Sequence, residues 1–405
     1  MRISERVRRI EPSLTLAVTQ QAMKLRAQGV DVISFSAGEP DFDTPEHIKR
    51  AAIEALGRGA SKYTQVAGIP ELRRAVADEL NRVHGTRHEM DNIIVSCGAK
   101  HALYNLFMAL LDPGDEVVIP APCWVSYPEL VSMAGGKPVI LETRAEEGFR
   151  IDPQALAERV HRSTRAVLIS SPCNPTGAMY DAATLAEVGR VVRERGGPDT
   201  YVVTDDIYRA LVYRGTWHSF VRVNPELAAR TLLVDGVSKS YAMTGWRIGY
   251  CAGPRELIEA MSTLQGQSTT NCTAVAQAAA LAAVTGPQEC VETMRQEFDR
   301  RRQVMVARLR ALPGVRLHEP EGAFYAFPNV SAYIGGAGGR FADDLQLAEW
   351  LLDRARVAVV PGVGFLAPGH LRLSYATSMR NVEEGLDRIA RALGEFSGER
   401  DGERA

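Results

Sequence analysis

The sequence predicts an α/β protein, with a large domain on a mostly parallel, doubly wound sheet and a smaller α+β domain beyond it. Three observations lead there. Strand-like apolar runs alternate with helix-like stretches from residue 46 to residue 253. Several of those runs are apolar on both faces, as strands covered by helices on each side are. After Pro313 and Gly314 the texture changes to brief strands set between two helices.

Size and composition bound the reading. A chain of 405 residues is too long for one ordinary domain of roughly 100–200 residues and suits two. At 45% hydrophobic and 24% charged, it has the mix of a globular protein with a sizeable core. A net charge of −2 gives no bulk attraction to nucleic acid or to an anionic membrane. The six cysteines, at 97, 123, 173, 251, 272 and 290, form no CxxC or Cys/His cluster. Neither a metal site nor a disulfide framework is expected, and reduced core thiols are. The N-terminus MRISERVRRIEPSLTLAV is basic and then mildly apolar, but it runs into Gln20 and Gln21 and reads as a helix rather than a signal peptide. No run approaches the roughly 18 apolar residues of a membrane span. A cytoplasmic protein is the expectation.

Taken in order, residues 14–28 have the pattern of an amphipathic helix stopped by Gly29, and VDVISFS reads as a short strand. The turn-rich AGEPDFDTP leads into a helix at 46–57. The strands of the large domain are NIIVS (92–96), DEVVIP (115–120), PVILE (138–142), RAVLIS (165–170), TYVVTD (200–205), TLLVD (231–235) and RIGYCAG (247–253). A long helix follows near 288–312, with Met294, Phe298, Met305, Leu309 and Leu312 on its apolar stripe. The arginines at 300–302 are expected on its solvated face. The smaller domain draws strands from AFYAFP, VAVVP and LRLSYA and helices from 342–355 and 381–396. GGAGG (335–339) reads as a mobile surface loop and SGERDGERA as a disordered tail. The predicted division is an N-terminal segment (1–44) joining the small domain, a large domain (45–290), a small domain (291–396) and the tail (397–405).

Open α/β sheets bind ligands at the carboxyl ends of their strands, and polar residues gather there. In SCGAKHALYN a strand ends at Ser96, Gly98 permits a tight turn and a helix begins near Lys100. Helix N-terminal amides attract anions, and a lysine that opposes the helix dipole makes most sense beside one. An ordinary strand-to-helix turn with a solvated lysine is the plainer alternative. In SSPCNPTG, Asn174 follows an apolar strand, and Pro175 excludes it as a glycosylation acceptor. Asparagine also suits turns on geometry alone. In YVVTDDIY, Asp205 closes an apolar strand, where an ionised carboxylate needs a partner; a protonated pyridine nitrogen would serve, with Tyr208 in reach. Helix-capping acids are the bland reading there.

In DGVSKSYAMTGWRIGY, Lys239 follows an apolar strand through a turn of small residues, beside Ser238 and ahead of Arg247. Such a lysine can lose its charge and attack a carbonyl, while the serine and the planar guanidinium suit a phosphate. Together these ends supply what pyridoxal 5'-phosphate (PLP) requires: an imine-forming lysine, an acid for the ring nitrogen, donors for the phenolic oxygen and a phosphate cup. GVGFLA (362–367) only formally resembles a dinucleotide fingerprint, because Pro368 and Gly369 replace the helix. By pattern alone, Arg372 in HLRLSYA is the solvent-facing residue of a strand.

The segments AGEPDFDTP, KYTQVAGIPELR, CGAKHALYN, PCWVSYPEL, SPCNPTGA, DDIY, SKSYAMTGWRIGY, EGAFYAFP and LRLSYATS, in this order and spacing, resemble the fold-type I PLP enzymes. More narrowly they resemble the class I/II aminotransferases and their bacterial aspartate aminotransferase branch, over nearly the whole chain. The resemblance implies that Lys239 holds PLP as a Schiff base and, once released, moves the substrate's α-proton. It implies Asp205 at the pyridine nitrogen, Asn174 and Tyr208 at the phenolic oxygen, and Gly98, Ala99, Ser238 and Arg247 at the phosphate, with Lys100 beside that turn. Trp124 would stack on the ring, and Tyr63 would reach the phosphate from the other subunit of a homodimer with shared active sites. Arg372 would clamp the substrate α-carboxylate with help from Gly38, Asn174 and Trp124. Lys100 and Thr15 would meet the distal carboxylate of aspartate or glutamate.

The implied reaction is ping-pong amino-group transfer from aspartate to 2-oxoglutarate, without a metal. Relatives that also use prephenate carry a basic residue just before the Pro-Ser of the N-terminal segment, where this chain has Glu11, so that activity is not expected. Cys97, Ala99, His101, Asp206 and Arg209 also depart from the usual pattern and leave room for a specialised amino-acid substrate. A PLP-dependent β-lyase shares the fold, but the Lys100/Thr15 pair argues against it. A PLP-sensing transcription regulator would need a helix-turn-helix module, and only about 30 residues precede the first strand.

Overall fold

The computed structural model describes residues 2–335 and 340–402. Its centre is a seven-stranded sheet of β2 (Ile93–Ser96), β3 (Glu116–Ala121), β4 (Lys137–Glu142), β5 (Thr164–Ser170), β6 (Tyr201–Asp205), β7 (Thr231–Gly236) and β8 (Gly249–Ala252). β1 (Ile33–Ser34) lies outside it. The spatial order is β2-β8-β7-β6-β5-β3-β4. β4, β3, β5, β6 and β7 pair in parallel, and β8 runs antiparallel to both β7 and β2. Each predicted strand of the large domain is present within a residue or two of its expected ends.

The strands are apolar on both faces because both faces are covered. Val117, Ile119, Leu168, Val203 and Val234 pack with Leu103, Leu106 and Phe107 of the helix Ala99–Leu110. The alternate residues Val118, Val167, Ile169 and Val202 pack with Leu185, Val188 and Val192 of the helix Ala182–Arg195. At the β2 end, Ile93, Val95, Leu233 and Tyr250 pack with the helices Pro70–His84 and Ala274–Thr285. The period of two in the strands thus meets the 3.6 period of helices on each side.

A second core gathers Phe35, Met294, Phe298, Met305, Leu309, Phe324, Leu347, Leu351, Leu386 and Ile389. It surrounds two small sheets. β9 (Tyr325–Ala326), β11 (Val360–Pro361) and β12 (Leu371–Ser374) form one, in the order β11-β12-β9, all antiparallel. In the other, β1 pairs in parallel with β10 (Val357–Ala358). The N-terminal helix Leu14–Ala27 joins this region, with Ala22 packed on Val32 and Ala358. Among the described residues no helix is long and apolar enough to cross a membrane.

Several expectations are corrected. VDVISFS and AFYAFP each yield only a two-residue strand, and VAVVP splits into β10 and β11, because the two short edges of this run bond to different sheets. The helix expected at 342–355 is Asp344–Trp350 followed by a π turn, Leu351–Ala355. The last helix runs from Met379 to Gly402, into the tail expected to lack structure, while 403–405 lie outside the described residues. So do 336–339 of the glycine-rich segment.

Of the arginines at 300–302 only Arg300 is on a solvated face: Arg301 and Arg302 are 6% and 4% exposed. On the helix Glu289–Arg310 they share the buried side with Phe298 and Met305. Their charges are balanced at close range. Arg301 bonds Asp41 and Glu297, and Arg302 bonds Asp299 and Glu319. A buried pair that loses one partner leaves the other charge uncompensated. Arg302→Ala is therefore expected to lower stability by about 3 kcal/mol in urea unfolding. Arg300→Ala, at the exposed position, is expected to change it by no more than about 0.5 kcal/mol. Equal effects would remove the case for a buried ionic role.

Candidate active site

Because β8 reverses direction, β2 runs the same way as β7, and the carboxyl ends of β2, β3, β5, β6 and β7 lie along one edge of the sheet. A cleft of about 410 Å³ opens there, within the range of small-molecule sites. Thr15 and Gly38 come to its wall from the N-terminal segment, Ala99 and Lys100 from beyond β2, and Trp124 from beyond β3. Asn174 follows β5, Asp205 and Tyr208 follow β6, and Ser238, Lys239 and Arg247 lie between β7 and β8. Arg372 enters from β12. Of the residues singled out from sequence, two do not line the wall. Gly98 lies behind Arg247, and Tyr63, 88% exposed, is outside the cleft of its own chain.

The turn after β2 is built by exclusion. Gly98 has φ +87°, and a Cβ there would sit 2.5 Å from Arg247 Nη2. A Cβ on Gly249 would meet the Ala99 nitrogen at 2.1 Å. Only two glycines let β8 and the guanidinium close on the first amides of the helix Ala99–Leu110, which have no carbonyl partners within the helix. Arg247, itself at φ 58°, is braced by the Thr244 and Cys97 carbonyls at 2.8 and 3.3 Å. Amides at a helix start beside a held guanidinium make an anion site.

Asp205 is 3% exposed. Its Oδ2 accepts from Tyr127 Oη at 2.7 Å and its Oδ1 from the Ile207 amide at 3.3 Å. Burial nevertheless pushes the carboxyl up to about 6, against the pull of those two donors. Such a group strongly favours a cation set against it. Lys239 Nζ donates to the Gly38 carbonyl at 2.6 Å. Burial draws this amine down to about 8, with Arg247 and Arg372 adding to the effect and Glu39 and Asp205 opposing it. An amine so placed gives up its proton near pH 8 instead of above 10, and its neutral form is fit to attack a carbonyl.

Arg372 is 1% exposed, so the solvent-facing reading by pattern is wrong. Its Nη1 donates to Asn174 Oδ1 at 3.0 Å and its Nη2 to the Ser36 carbonyl at 2.7 Å. The guanidinium lies 4.5 Å from the Tyr325 ring centroid and 5.0 Å from that of Phe365. With Oδ1 of Asn174 engaged, what the asparagine offers the cleft is its amide nitrogen. Tyr208 Oη and Tyr325 Oη are 2.8 Å apart. Lys100 Nζ stands 4.8 Å from the Trp124 ring centroid, and burial followed by Arg247 lowers its pKa. Arg372 Nε and Thr15 Oγ1 are buried without protein partners, as polar atoms of a ligand site are.

A carbonyl-reactive amine, a buried carboxyl that wants a cation, an anion-binding turn and unpartnered polar atoms fit the donor chemistry of PLP. The family profile of aminotransferase class I and II matches residues 30–389. The chain belongs to that family. This aminotransferase is 48% identical to an aspartate aminotransferase of Geobacillus stearothermophilus over 97% of its own length and 99% of that protein's. It is 47% identical to an aspartate/prephenate aminotransferase of Thermus thermophilus, covering 97% and 99% of the two. A solved structure of Thermus thermophilus aspartate aminotransferase with maleate superposes with TM-score 0.90 at 47% identity, over 96% of this chain and 100% of that one. The aminotransferase is thus PLP-dependent and exchanges amino groups between amino acids and 2-oxo acids.

Sequence reading missed Tyr127 and Tyr325. Both sit in motifs that were noticed, PCWVSYPEL and EGAFYAFP, but nothing in their spacing tells that one hydroxyl meets Asp205 and the other Tyr208. Reductive alkylation of the cofactor-free aminotransferase by a small aldehyde tests the amine's environment. Labelling of Lys239 should rise with pH to a midpoint near 8, because the neutral amine is the reactive form. Exposed lysines should respond near 10.4. A midpoint shared with the exposed lysines would refute the burial effect.

Proposed function

We propose that this aminotransferase takes aspartate as amino donor and 2-oxoglutarate as acceptor, in a ping-pong exchange. The observation that carries the reading is a pair of cations on one cleft: Arg372, fully buried, and Lys100, on a wall shared with the unpartnered hydroxyl of Thr15. Arg372 holds the α-carboxylate through its fork, and Lys100 with Thr15 holds the distal one. The maleate in the Thermus structure is a dicarboxylate, and the names of the relatives point the same way. A cytoplasmic enzyme accords with free amino-acid and 2-oxo-acid substrates.

PLP, when bound, supplies the electron sink. The chain's own groups do the rest. Lys239 Nζ would hold the cofactor and, when free, would take the substrate's α-proton, a task its pKa, drawn down to about 8, suits. Asp205, oriented by Tyr127, would face the ring nitrogen and favour its protonated form. Asn174 and Tyr208 would donate to the phenolic oxygen. Gly98, Ala99, Ser238 and Arg247 would hold the phosphate, and Trp124 would pack against the ring. Tyr63, so exposed on its own chain, completes the phosphate site of a second copy in a homodimer.

Prephenate is a poorer substrate in this reading. Glu11 and Glu129 line a neighbouring cavity that also touches Lys100, and the Glu11 amide donates to Glu129. Two carboxylates there repel a bulky dianion.

Adding L-aspartate without an oxo acid should convert the absorbance of the lysine-linked cofactor to the shorter-wavelength amine form. Lys239→Ala should bind PLP non-covalently and show no such conversion. A lysine-linked band indifferent to aspartate would leave the cofactor site standing and remove the substrate assignment. Separately, Lys100→Ala should reduce the preference for aspartate over alanine, in kcat/KM, by roughly tenfold or more, the worth of one hydrogen bond to a charged group. An unchanged ratio would exclude Lys100 from recognition of the distal carboxylate.

A further inference from the structure

Two cysteines that lie far apart in sequence meet beside the anion-binding turn. Cys97 Sγ and Cys272 Sγ are 3.8 Å apart. Cys97 separates the last residue of β2 from Gly98, and its carbonyl accepts from Arg247 Nη2 at 3.3 Å. Its own amide donates to His101 Nδ1 at 3.2 Å. Cys97 is partly exposed and lines the neighbouring cavity with His101 and Tyr104. Cys272 is 1% exposed, directly ahead of the helix Ala274–Thr285, with its thiol against the Val95 carbonyl at 3.6 Å.

The two thiols are not equivalent. Hydrogen bonds from Cys272 and then His101 hold the Cys97 thiol well below its ordinary range. That same contact and then burial hold Cys272 above it. The pair therefore sets a partly exposed thiol, the more readily ionised of the two, against a buried partner in contact with it, the arrangement of an attacking and a resolving thiol. Both are free thiols, as the reading of reduced core thiols expects, but Cys97 is only partly buried.

We infer that Cys97 and Cys272 form a reversible disulfide under hydroperoxide, and that the disulfide loosens the phosphate turn. The Cys97 thiolate attacks one peroxide oxygen and breaks the O–O bond; hydroxide leaves and takes a proton to become water, and Cys97 becomes a sulfenic acid. The Cys272 sulfur then attacks the Cys97 sulfur, loses its proton and expels a second water. Two thiols are oxidised by two electrons and one peroxide is reduced to two waters. To reach a bond of about 2.05 Å the sulfurs must close by about 1.7 Å. Cys97 is bonded directly to Gly98, whose room is already filled by Arg247, so the movement is transmitted to the Gly98 and Ala99 amides. The disulfide itself stands independently of the proposed function; its effect on the cofactor rests on the assignment of this turn to the phosphate.

The test is made on the PLP-loaded protein treated with hydrogen peroxide, alkylated and digested without reductant. A peptide pair joined through Cys97 and Cys272, two hydrogens lighter than the separate peptides and separated by dithiothreitol, is the expected result. The oxidised protein should lose PLP on dialysis with a dissociation constant raised roughly tenfold, as for one lost charge-assisted phosphate contact, and recover on reduction. Cys272→Ser should stop at a Cys97 sulfenic acid that dimedone traps, and Cys97→Ser should leave Cys272 unoxidised. If both thiols remain alkylatable, or Cys97 is oxidised without joining Cys272, the disulfide is overturned. If the pair forms with PLP retention unchanged, the coupling to the turn is overturned. Failure of the phosphate assignment is separable, because it would show as weak PLP retention unaffected by Arg247→Ala in protein never exposed to peroxide.

Discussion

A guanidinium cannot be taken out of water without acceptors waiting for it, and in this protein the acceptors come from distant parts of the chain. Arg372 belongs to β12 of the small antiparallel sheet. One of its bonds goes to Asn174, in the loop beyond β5 of the large sheet, and the other to the Ser36 carbonyl, just after β1. Tyr325 of β9 and Phe365 cover its faces. Three pieces of chain that share no strand pairing are thus tied at one side chain, and the cleft exists because they are. If any of the three shifted, a buried charge would lose a partner, at a cost of several kcal/mol.

The same logic governs the rest of the cleft. Asp205 and Lys239 each pay in desolvation, and neither is fully balanced by protein alone: the carboxyl is raised toward 6 and the amine drawn toward 8. Imbalance of this kind is what a binding site stores. At Arg209 the buried charge is closed off within the chain. Arg209 bonds Asp235 at 2.6 Å and Glu79 at 3.0 Å, joining β7 to the helix Pro70–His84. The contrast sets Arg209, which finds its counterions within the chain, against Asp205 and Lys239, which are left for a ligand.

Most of the large sheet was legible because its strands carry the signal twice, in apolar content and in their alternation with helices. Its strand-end polar residues were legible for the same reason, since topology gathers carboxyl ends along one edge. The strands of the small sheets were placed in the right segments, but their lengths and partners were not legible, because two-residue strands have no period to read. Arg301 and Arg302 were misread although the pattern was there: they fall between Phe298 and Met305 on one helix face, and charge was weighed above position. Arg372 failed by pattern alone for the opposite reason, because both faces of β12 are buried and alternation says nothing of exposure. The hydroxyl contacts of Tyr127 and Tyr325, and the meeting of Cys97 with Cys272, depend on tertiary approach and leave no trace in local sequence.

The pairing of β8 between β2 and β7 has a consequence for how the molecule is made. β2 has its hydrogen-bonding neighbour only when residues 249–252 arrive, about 150 positions later in the chain. Until then the Ala99 amide has no Gly249 beneath it and Arg247 is not in place over Gly98. A growing chain can form the helices and the parallel strands β3 to β7 while still lacking the cup. Contacts so distant in sequence are the slow ones to close. The anion-binding turn after β2 is accordingly completed late, and a chain stalled before residue 247 has the turn's first half without the guanidinium and the glycine that close it.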